Sequence, residues 1–428
     1  MKVILLLLIF LCGFEKIFAQ DQILFKAKKV QSAPGQSYEP GELLIQGPKI
    51  LAIGKKLSVP KKCKVVDWTK YEIYPGLISP GSSLGLAEIN SLRSTRDERE
   101  VGTHTPEIEA WTAINPDSEL IPVARANGIT HSVIIPLGGS ISGTSGTIAL
   151  DGWGIEDMIV QKKVALHVWW PGQSLSLSAK KNSSKSINDQ ENERKKSIRE
   201  ITEYFEQAEL YLQLKKNNKA KLSYNPSWEA MIPFVSRKLP IMVHAEETRQ
   251  IASAIDWATK QKYRIIISGG RDAWKIADKL ASSRVPVVFR HVFTAPNHIN
   301  KPFDNHFRAP GVLANAGVDL SIGLRLGAWS AANQRNLPYH AAHGIPFGLS
   351  HNQALASITI NPAKLIGLDH RLGSLERGKD ATFIACSGDI FDLRTNVAEM
   401  RILGKKVNLT SRHTRLFEKY KRRPKIKE

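Results

Sequence analysis

The stretch that decides the fold runs from Tyr71 to Leu86 and reads Tyr-Glu-Ile-Tyr-Pro-Gly-Leu-Ile-Ser-Pro-Gly-Ser-Ser-Leu-Gly-Leu. It begins with strand-forming residues, which the pair Pro75-Gly76 interrupts before Leu77-Ile78 continues the strand. Small residues follow, as is typical of the turn that ends a buried strand. The pattern therefore predicts an apolar strand whose carboxyl end opens into a loop of small residues.

Apolar runs of strand length alternate with helical patterns along the middle of the chain. This alternation is typical of parallel βαβ units, and eight strands with intervening helices form a (β/α)₈ barrel. Seven predicted strands follow the first: Ile129–Pro136, Gly146–Leu150, Val164–Trp169, Pro240–His244, Tyr263–Ile267, Val285–Phe289 and Val318–Ile322. Helical spacing is found at Ala252–Ala258, Ala273–Leu280 and Gln353–Ile358, and Asp272 is placed to favour the start of the second.

Three segments depart from this alternation. The glycine- and serine-rich segment from Gly138 to Gly146 predicts a tight loop after the second strand. Residues 174–189 are rich in Ser, Lys and Asn, which predicts a mobile insertion. A helix follows, whose apolar stripe consists of Ile198, Ile201, Phe205, Ala208 and Leu212. Short strands are also predicted near both chain ends, at Ile23–Val30, Glu42–Ile53, Lys64–Trp68, Asp380–Ala385 and Glu399–Leu403.

The N-terminal residues 1–19 predict an exported protein, either periplasmic or secreted. Lys2 precedes an apolar run that ends at Phe14, and Ala19 supplies the small residue of a signal-peptide cleavage site. The run is too short to span a bilayer comfortably, and no later segment is apolar for long enough, so no transmembrane segment is expected. Outside the cytoplasm Cys63 and Cys386 are able to pair, but the sequence favours the unpaired state.

The chain is basic, with a formal net charge of +20. The positive residues are spread along the chain and are not interleaved with aromatic residues, so the composition does not indicate a nucleic-acid-binding protein. We expect a lysine-rich solvated surface and a small-molecule ligand or substrate. The two cysteines after the signal peptide lie in no Cys-x-x-Cys or Cys/His pattern, which argues against a sulfur-based zinc site.

Three motifs resemble the amidohydrolase superfamily, and specifically its imidazolonepropionase-like branch. They are Pro75–Ile78 in the first strand, Val243-His244-Ala245-Glu246 at the end of the fifth, and Asn361–Leu368 followed by Arg371–Ala381 near the C-terminus. The resemblance implies a (β/α)₈ TIM-like barrel over residues 71–377. It also implies a small composite β-sandwich built from residues 20–70 and 378–410, with a basic tail over residues 411–428. Barrels of this family often form dimers, so a homodimer is an open expectation.

The resemblance also implies a divalent metal site at the carboxyl ends of the strands, because such a metal activates water in this family. Of the positions that match the metal ligands of the family, only His244 carries a ligating side chain. The other matching positions are Gly81, Ser83, Gly269 and Gly323. One imidazole does not hold zinc, since zinc sites take three or four protein ligands. We therefore expect no cofactor or a weakly held divalent metal, with zinc as the first choice.

The candidate catalytic residues are His244, Glu246 and Asp272, which lie at or just after strand ends, where barrel enzymes gather catalytic groups. Glu246 or Asp272 is a candidate general base for a reaction without a metal. The candidate substrate-binding residues are Arg96, Trp169, His291 and Arg325. Two hypotheses follow from the resemblance: a hydrolase of non-peptide carbon–nitrogen bonds with a rebuilt or degenerate metal site, or a non-catalytic pseudoenzyme that binds a small ligand or a partner protein at the barrel mouth.

Overall fold

The computed structural model describes residues 22–58, 60, 62–175, 185–217, 223–296 and 301–423. The predicted signal peptide, residues 1–19, and residues 176–184 of the predicted insertion lie outside these ranges. The strands are β1 (Gln22–Ala33), β2 (Gln36–Tyr38), β3 (Gly41–Gln46), β4 (Lys49–Gly54), β5 (Lys64–Pro75), β6 (Leu77–Ser82), β7 (Ile129–Ile134), β8 (Ile141–Thr144), β9 (Gly146–Ala149), β10 (Ile159–Gln161), β11 (Leu166–Trp169), β12 (Ile241–Ala245), β13 (Ile265–Gly269), β14 (Val287–Phe289), β15 (Leu320–Ile322), β16 (Phe383–Cys386), β17 (Val397–Ile402) and β18 (Lys405–Lys406).

The α-helices lie mostly between and after the inner strands. In chain order they are α1 (Leu120–Arg125), α2 (Ile155–Met158), α3 (Ile187–Asn217), α4 (Pro226–Val235), α5 (Thr248–Gln261), α6 (Ala277–Ser282), α7 (Asn305–Asn315), α8 (Ala328–Ala332), α9 (Leu337–His343), α10 (His351–Ser357), α11 (Ile360–Leu365) and α12 (Arg412–Lys421). Within the described ranges, no helix is both long and apolar enough to cross a membrane.

One mixed sheet joins the two ends of the chain. Its strand order is β18-β17-β16-β5-β1-β3-β4, with β2 paired to β1, and β5 runs antiparallel to β16. The buried aromatic rings of Phe25, Trp68 and Phe383 meet on this sheet, with centroids 4.5 Å apart for Phe25 and Trp68 and 5.1 Å apart for Phe25 and Phe383. Residues far apart in sequence therefore share one core. The second layer of the predicted β-sandwich stays a prediction, and Cys63 and Cys386 are both free thiols.

The inner strands form two sheets with the orders β10-β9-β7-β6 and β15-β14-β13-β12-β11-β8. Strands β11 to β15 are mutually parallel, as the alternating pattern predicts. The predicted strand Gly146–Leu150 corresponds to β9, but it runs antiparallel to β7 and is therefore not a parallel strand of the βαβ series. The segment predicted as a loop contains β8, which pairs antiparallel with β11. In the described part of the chain no ladder joins β6 to β15, so the closed barrel stays a prediction.

Helix α3 follows the predicted insertion and packs by one stripe. Its buried residues are Ile201, Phe205, Ala208 and Tyr211, close to the predicted stripe. The helix begins at Ile187, so the last residues of the predicted insertion are helical. Helix α5 begins with a capping box in which Glu247 and Gln250 satisfy each other's backbone donors. This cap fixes the chain directly after β12, where the candidate site lies.

Candidate active site

The parallel strands β12 to β15 bring their carboxyl ends to one edge, where a cavity of about 250 Å³ opens. This volume lies just below the range of about 300 to 1,000 Å³ that pockets for drug-sized molecules have, so the cavity suits a smaller ligand. Among the predicted site residues, His244, Glu246, Trp169, His291 and Arg325 line it. The other lining residues are Trp170, Gln250, Ser268, Gly269, Arg290 and Leu326.

His244 at the end of β12 is held by its neighbours on β11. Its Nε2 lies 2.9 Å from Nδ1 of His167, and the ring of Trp169 stacks on the His244 ring at a centroid distance of 3.9 Å. Burial lowers the pKa of His167 to about 3, and burial next to His167 and Arg290 takes the pKa of His244 well below its ordinary value. Both imidazoles are therefore neutral near pH 7, so one donates and the other accepts the hydrogen bond.

Glu246 and His291 form the polar pair of the cavity. Glu246 Oε2 lies 2.7 Å from His291 Nε2, an ion-pair distance when the imidazole is protonated, although neither ring nitrogen of His291 has an aligned hydrogen-bond partner in the described chain. The same carboxylate accepts a hydrogen bond from the backbone N–H of Arg271 at 3.1 Å. The Glu246 side chain is 40% exposed, whereas that of His291 is 8% exposed. A carboxylate that accepts a backbone hydrogen bond and remains open to the cavity is suited to take a proton from water.

Arg290 follows β14 and is the charged residue among the cavity-lining residues that the sequence did not predict. Its side chain is buried; Nε donates to Ser268 Oγ at 2.9 Å, and Nη1 donates to the carbonyl oxygens of Gly81 at 2.9 Å and Leu324 at 2.7 Å. Burial lowers the pKa of Arg290 to about 10, so the guanidinium is charged at neutral pH. Nη2 is buried and has no hydrogen-bond partner in the described chain. An arginine directly after an apolar strand was the available signal.

The glycines at the positions that match the family's metal ligands lie against the side chains of Arg290 and Glu246. A Cβ atom on Gly81 would lie 2.4 Å from Arg290 Nη2, and one on Gly323 would lie 3.1 Å from Nη1. A Cβ atom on Gly269 would lie 2.6 Å from Oε1 of Glu246. The side chains of Arg290 and Glu246, together with Ile135 against Gly81 and Pro80 against Gly323, therefore take the space that side chains at these positions would need.

The described side chains around the cavity do not form a ligand set for a metal of the kind that the resemblance implies. Across the described ranges, no group of three or more His, Cys, Asp or Glu side chains is arranged to hold a metal ion. Ser83 accepts a hydrogen bond from the backbone N–H of Gly327 at 3.2 Å, and His244 Nε2 is already paired with His167. The residues present therefore do not fit a zinc site.

Two predicted site residues do not line the cavity. Asp272 lies 3.1 Å from Lys275 Nζ and 3.2 Å from Lys301 Nζ; burial raises the pKa of its carboxyl, but hydrogen bonds from these two lysines outweigh burial and lower it. Its side chain accepts no capping hydrogen bond from a backbone N–H of the helix that it was predicted to start. Arg96 lies 2.6 Å from the buried carboxylate of Glu98. Both side chains thus serve ion pairs outside this cavity.

Comparison with known proteins gives the family. A model described as "Amidohydrolase family" matches residues 141–411, more than half of the chain. No curated protein sequence matches the chain.

Solved structures are similar over almost the whole length. An amidohydrolase from Thermotoga maritima MSB8 has a TM-score of 0.79 at 25% identity, covering 90% of this chain and 99% of that one. A prolidase complexed with n-methylphosphonate-l-proline has a TM-score of 0.53 at 13% identity and covers 90% of this chain and 99% of that one. Phenylurea hydrolase B has a TM-score of 0.55 at 15% identity and covers 91% of this chain and 97% of that one. The latter two are similar in fold alone. The family match over residues 141–411 shows that the chain belongs to the amidohydrolase family.

Proposed function

We propose that this protein hydrolyses a carbon–nitrogen bond other than a peptide bond in a small cyclic or linear amide, and that the reaction takes place in the cavity at the strand ends. The observation that carries the proposal is the Glu246 carboxylate 2.7 Å from the His291 imidazole, in a small cavity that also contains a buried guanidinium. Family membership supports the reaction class. The cavity volume supports a small substrate.

In the proposed reaction, Glu246 removes a proton from water as the water oxygen attacks the amide carbon. His291 lies against Oε2 of the Glu246 carboxylate, and the backbone N–H of Arg271 donates to the same oxygen, which leaves Oε1 to take the proton. When the carbon–nitrogen bond breaks, the proton moves from Glu246 to the leaving nitrogen. The hydroxyl group of the water is thus in the acid, and its other hydrogen is in the amine. No step passes through a metal, because the described donor set does not fit one.

We further propose that the metal site of the family has been lost in this chain. The contacts that a Cβ atom would meet at Gly81, Gly269 and Gly323 support this proposal, since neighbouring side chains, Arg290 and Glu246 among them, take the space of the missing ligands. The motifs Pro75–Ile78 and Asn361–Leu368 support placement in the imidazolonepropionase-like branch. Arg290 Nη1 joins Gly81 O in β6 to Leu324 O just after β15, which supports closure of the two inner sheets into one barrel.

The proposal is tested by a screen of amides, lactams and ureas with purified protein, in which Glu246→Gln is compared with Glu156→Gln. Glu156 is exposed on α2 and does not line the cavity, so its variant removes one carboxylate as a control. A general base contributes about 100-fold to 10,000-fold, so Glu246→Gln is expected to lose at least about 100-fold in kcat/KM. An equal effect of both substitutions would contradict the role of Glu246. Binding of amides without hydrolysis would favour the pseudoenzyme hypothesis.

Export and a homodimer remain proposals. The basis for export is the sequence of residues 1–19 alone, which lie outside the described chain. N-terminal sequencing of the protein recovered from a cell envelope fraction tests it. Cleavage after Ala19 is the expected result, and an intact N-terminus in the cytoplasm would contradict it.

A further inference from the structure

The cavity contains one buried charge that the proposed reaction does not use. A guanidinium has five N–H donors. Arg290 uses three of them, one on Nε and two on Nη1, which bind Ser268, Gly81 and Leu324. The remaining two are on Nη2, which has no partner in the described chain although the side chain is only 4% exposed. An unsatisfied buried donor of this kind is uncommon and costly, so it requires an explanation.

The three occupied donors fix the guanidinium firmly. Its partners are the carbonyl oxygen of Gly81 in β6, the hydroxyl of Ser268 in β13 and the carbonyl oxygen of Leu324 after β15. None of these partners carries a negative charge, so the charge of Arg290 is not neutralised by its hydrogen bonds. The carboxylate of Glu246 is close enough to act on it electrostatically, but it is placed against His291. The guanidinium is thus a preorganised cation at the site of reaction.

A second guanidinium borders the same space. Arg325 lines the 250 Å³ cavity together with Arg290, and both also line a neighbouring cavity of about 510 Å³. Arg325 is exposed and makes no ion pair with any residue in the described ranges. Against these two positive groups the cavity has one carboxylate, Glu246. The balance of charge therefore favours an anionic ligand.

We propose that Arg290 binds the carboxylate group of a small acid through Nη2, and that this acid is the acyl product of the hydrolysis. The inference rests on the proposed function for the identity of the acid. Amide hydrolysis forms a carbon–oxygen bond and breaks a carbon–nitrogen bond, and the resulting acid ionises at neutral pH. The oxygen that Nη2 holds in the product is the amide oxygen of the substrate, where negative charge develops during attack. In this role the Arg290 guanidinium stabilises the negative charge on that oxygen.

Isothermal titration at pH 7 with benzoate and its neutral analogue benzamide tests this site without any turnover. Wild-type protein is expected to bind benzoate more tightly than benzamide. Arg290→Lys keeps the charge but loses the planar fork, and Arg290→Met loses both. Each is expected to weaken benzoate binding by about 10-fold to 100-fold, the range for a charge-assisted hydrogen bond. Arg264→Gln removes an exposed charge that precedes β13, at the opposite end of that strand, and is expected to change nothing.

Two outcomes would overturn the inference: equal affinity of wild type for benzoate and benzamide, or unchanged benzoate binding by a folded Arg290→Met. If both Arg290 variants fail to fold, Arg325→Gln decides, because Arg325 is exposed. Retention of the benzoate preference then supports Arg290, and its loss assigns the preference to Arg325. If benzoate binding depends on Arg290 but no amide is hydrolysed, the proposed function fails while the carboxylate site stands.

Discussion

Gly269→Ala offers a sharp test of the geometry around Glu246. Gly269 has φ +106°, and a Cβ atom there would lie 2.6 Å, 2.7 Å and 2.8 Å from Oε1, Cδ and Oε2 of Glu246. These distances are too short for nonbonded atoms, and the end of the flexible Glu246 side chain is what must move. We expect the carboxylate to leave His291, with a loss of about 100-fold or more in kcat/KM, as for removal of a general base.

Gly270→Ala is the matched control. Gly270 has φ +67°, so an alanine there also requires a left-handed backbone, but its Cβ atom would lie 3.1 Å from Val287 and 3.3 Å from Ala273 and not near Glu246. Both variants are expected to lose about 1 to 2 kcal/mol in the free energy of unfolding, measured in urea. Only Gly269→Ala is expected to lose activity. Equal activity of the two variants, or equal loss, would refute the reasoning.

Three further predictions concern stability and the ion pairs. Burial lowers the pKa of His131 to about 4, so as the pH falls below about 6.5 this histidine takes up a proton in the unfolded chain before it does so in the folded chain. The free energy of unfolding should therefore be lower by about 2 kcal/mol at about pH 5 than at neutral pH. Urea titrations of His131→Gln should show a shallower decrease with pH. A steeper decrease in the variant would contradict this. Phe25→Ala is expected to lower the free energy of unfolding by about 3 to 5 kcal/mol, because its ring packs on Trp68 and Phe383; a loss below about 1 kcal/mol in urea would contradict the shared core. Asp272→Asn should lower stability by about 1 to 2 kcal/mol and leave kcat/KM unchanged, since Asp272 pairs with lysines outside the cavity; a large loss of kcat/KM would restore it as a catalytic candidate.

The sequence predicts most of the fold because the spacing of its apolar residues shows which side chains are buried in strands and helices. Strands β11 to β15 read as short apolar runs, and α3 shows its buried stripe in the spacing of Ile201, Phe205 and Ala208. Sequence reasoning failed where pairing decides the structure. Strand β8 comes from a glycine- and serine-rich segment with little strand propensity, and it forms because β11 offers an edge to pair with. The antiparallel direction of β9 likewise depends on its partner.

The candidate site was predictable only in part. His244, Glu246 and His291 follow from their positions at strand ends, and the structure brings all three to one cavity. Arg290 was missed because a lone arginine after a strand is usually solvated; only the fold shows that glycines at positions 81 and 323 leave room for its guanidinium. Asp272 has the same strand-end placement as Glu246, and its nearby lysines become evident only in three dimensions.

The most direct test of a metal-independent hydrolase is the rate of amide hydrolysis before and after treatment with a chelator, followed by addition of zinc. The account predicts that the rate is unchanged by the chelator and by zinc, and that it is lost in Glu246→Gln. A rate that disappears with the chelator and returns with zinc would contradict the central claim.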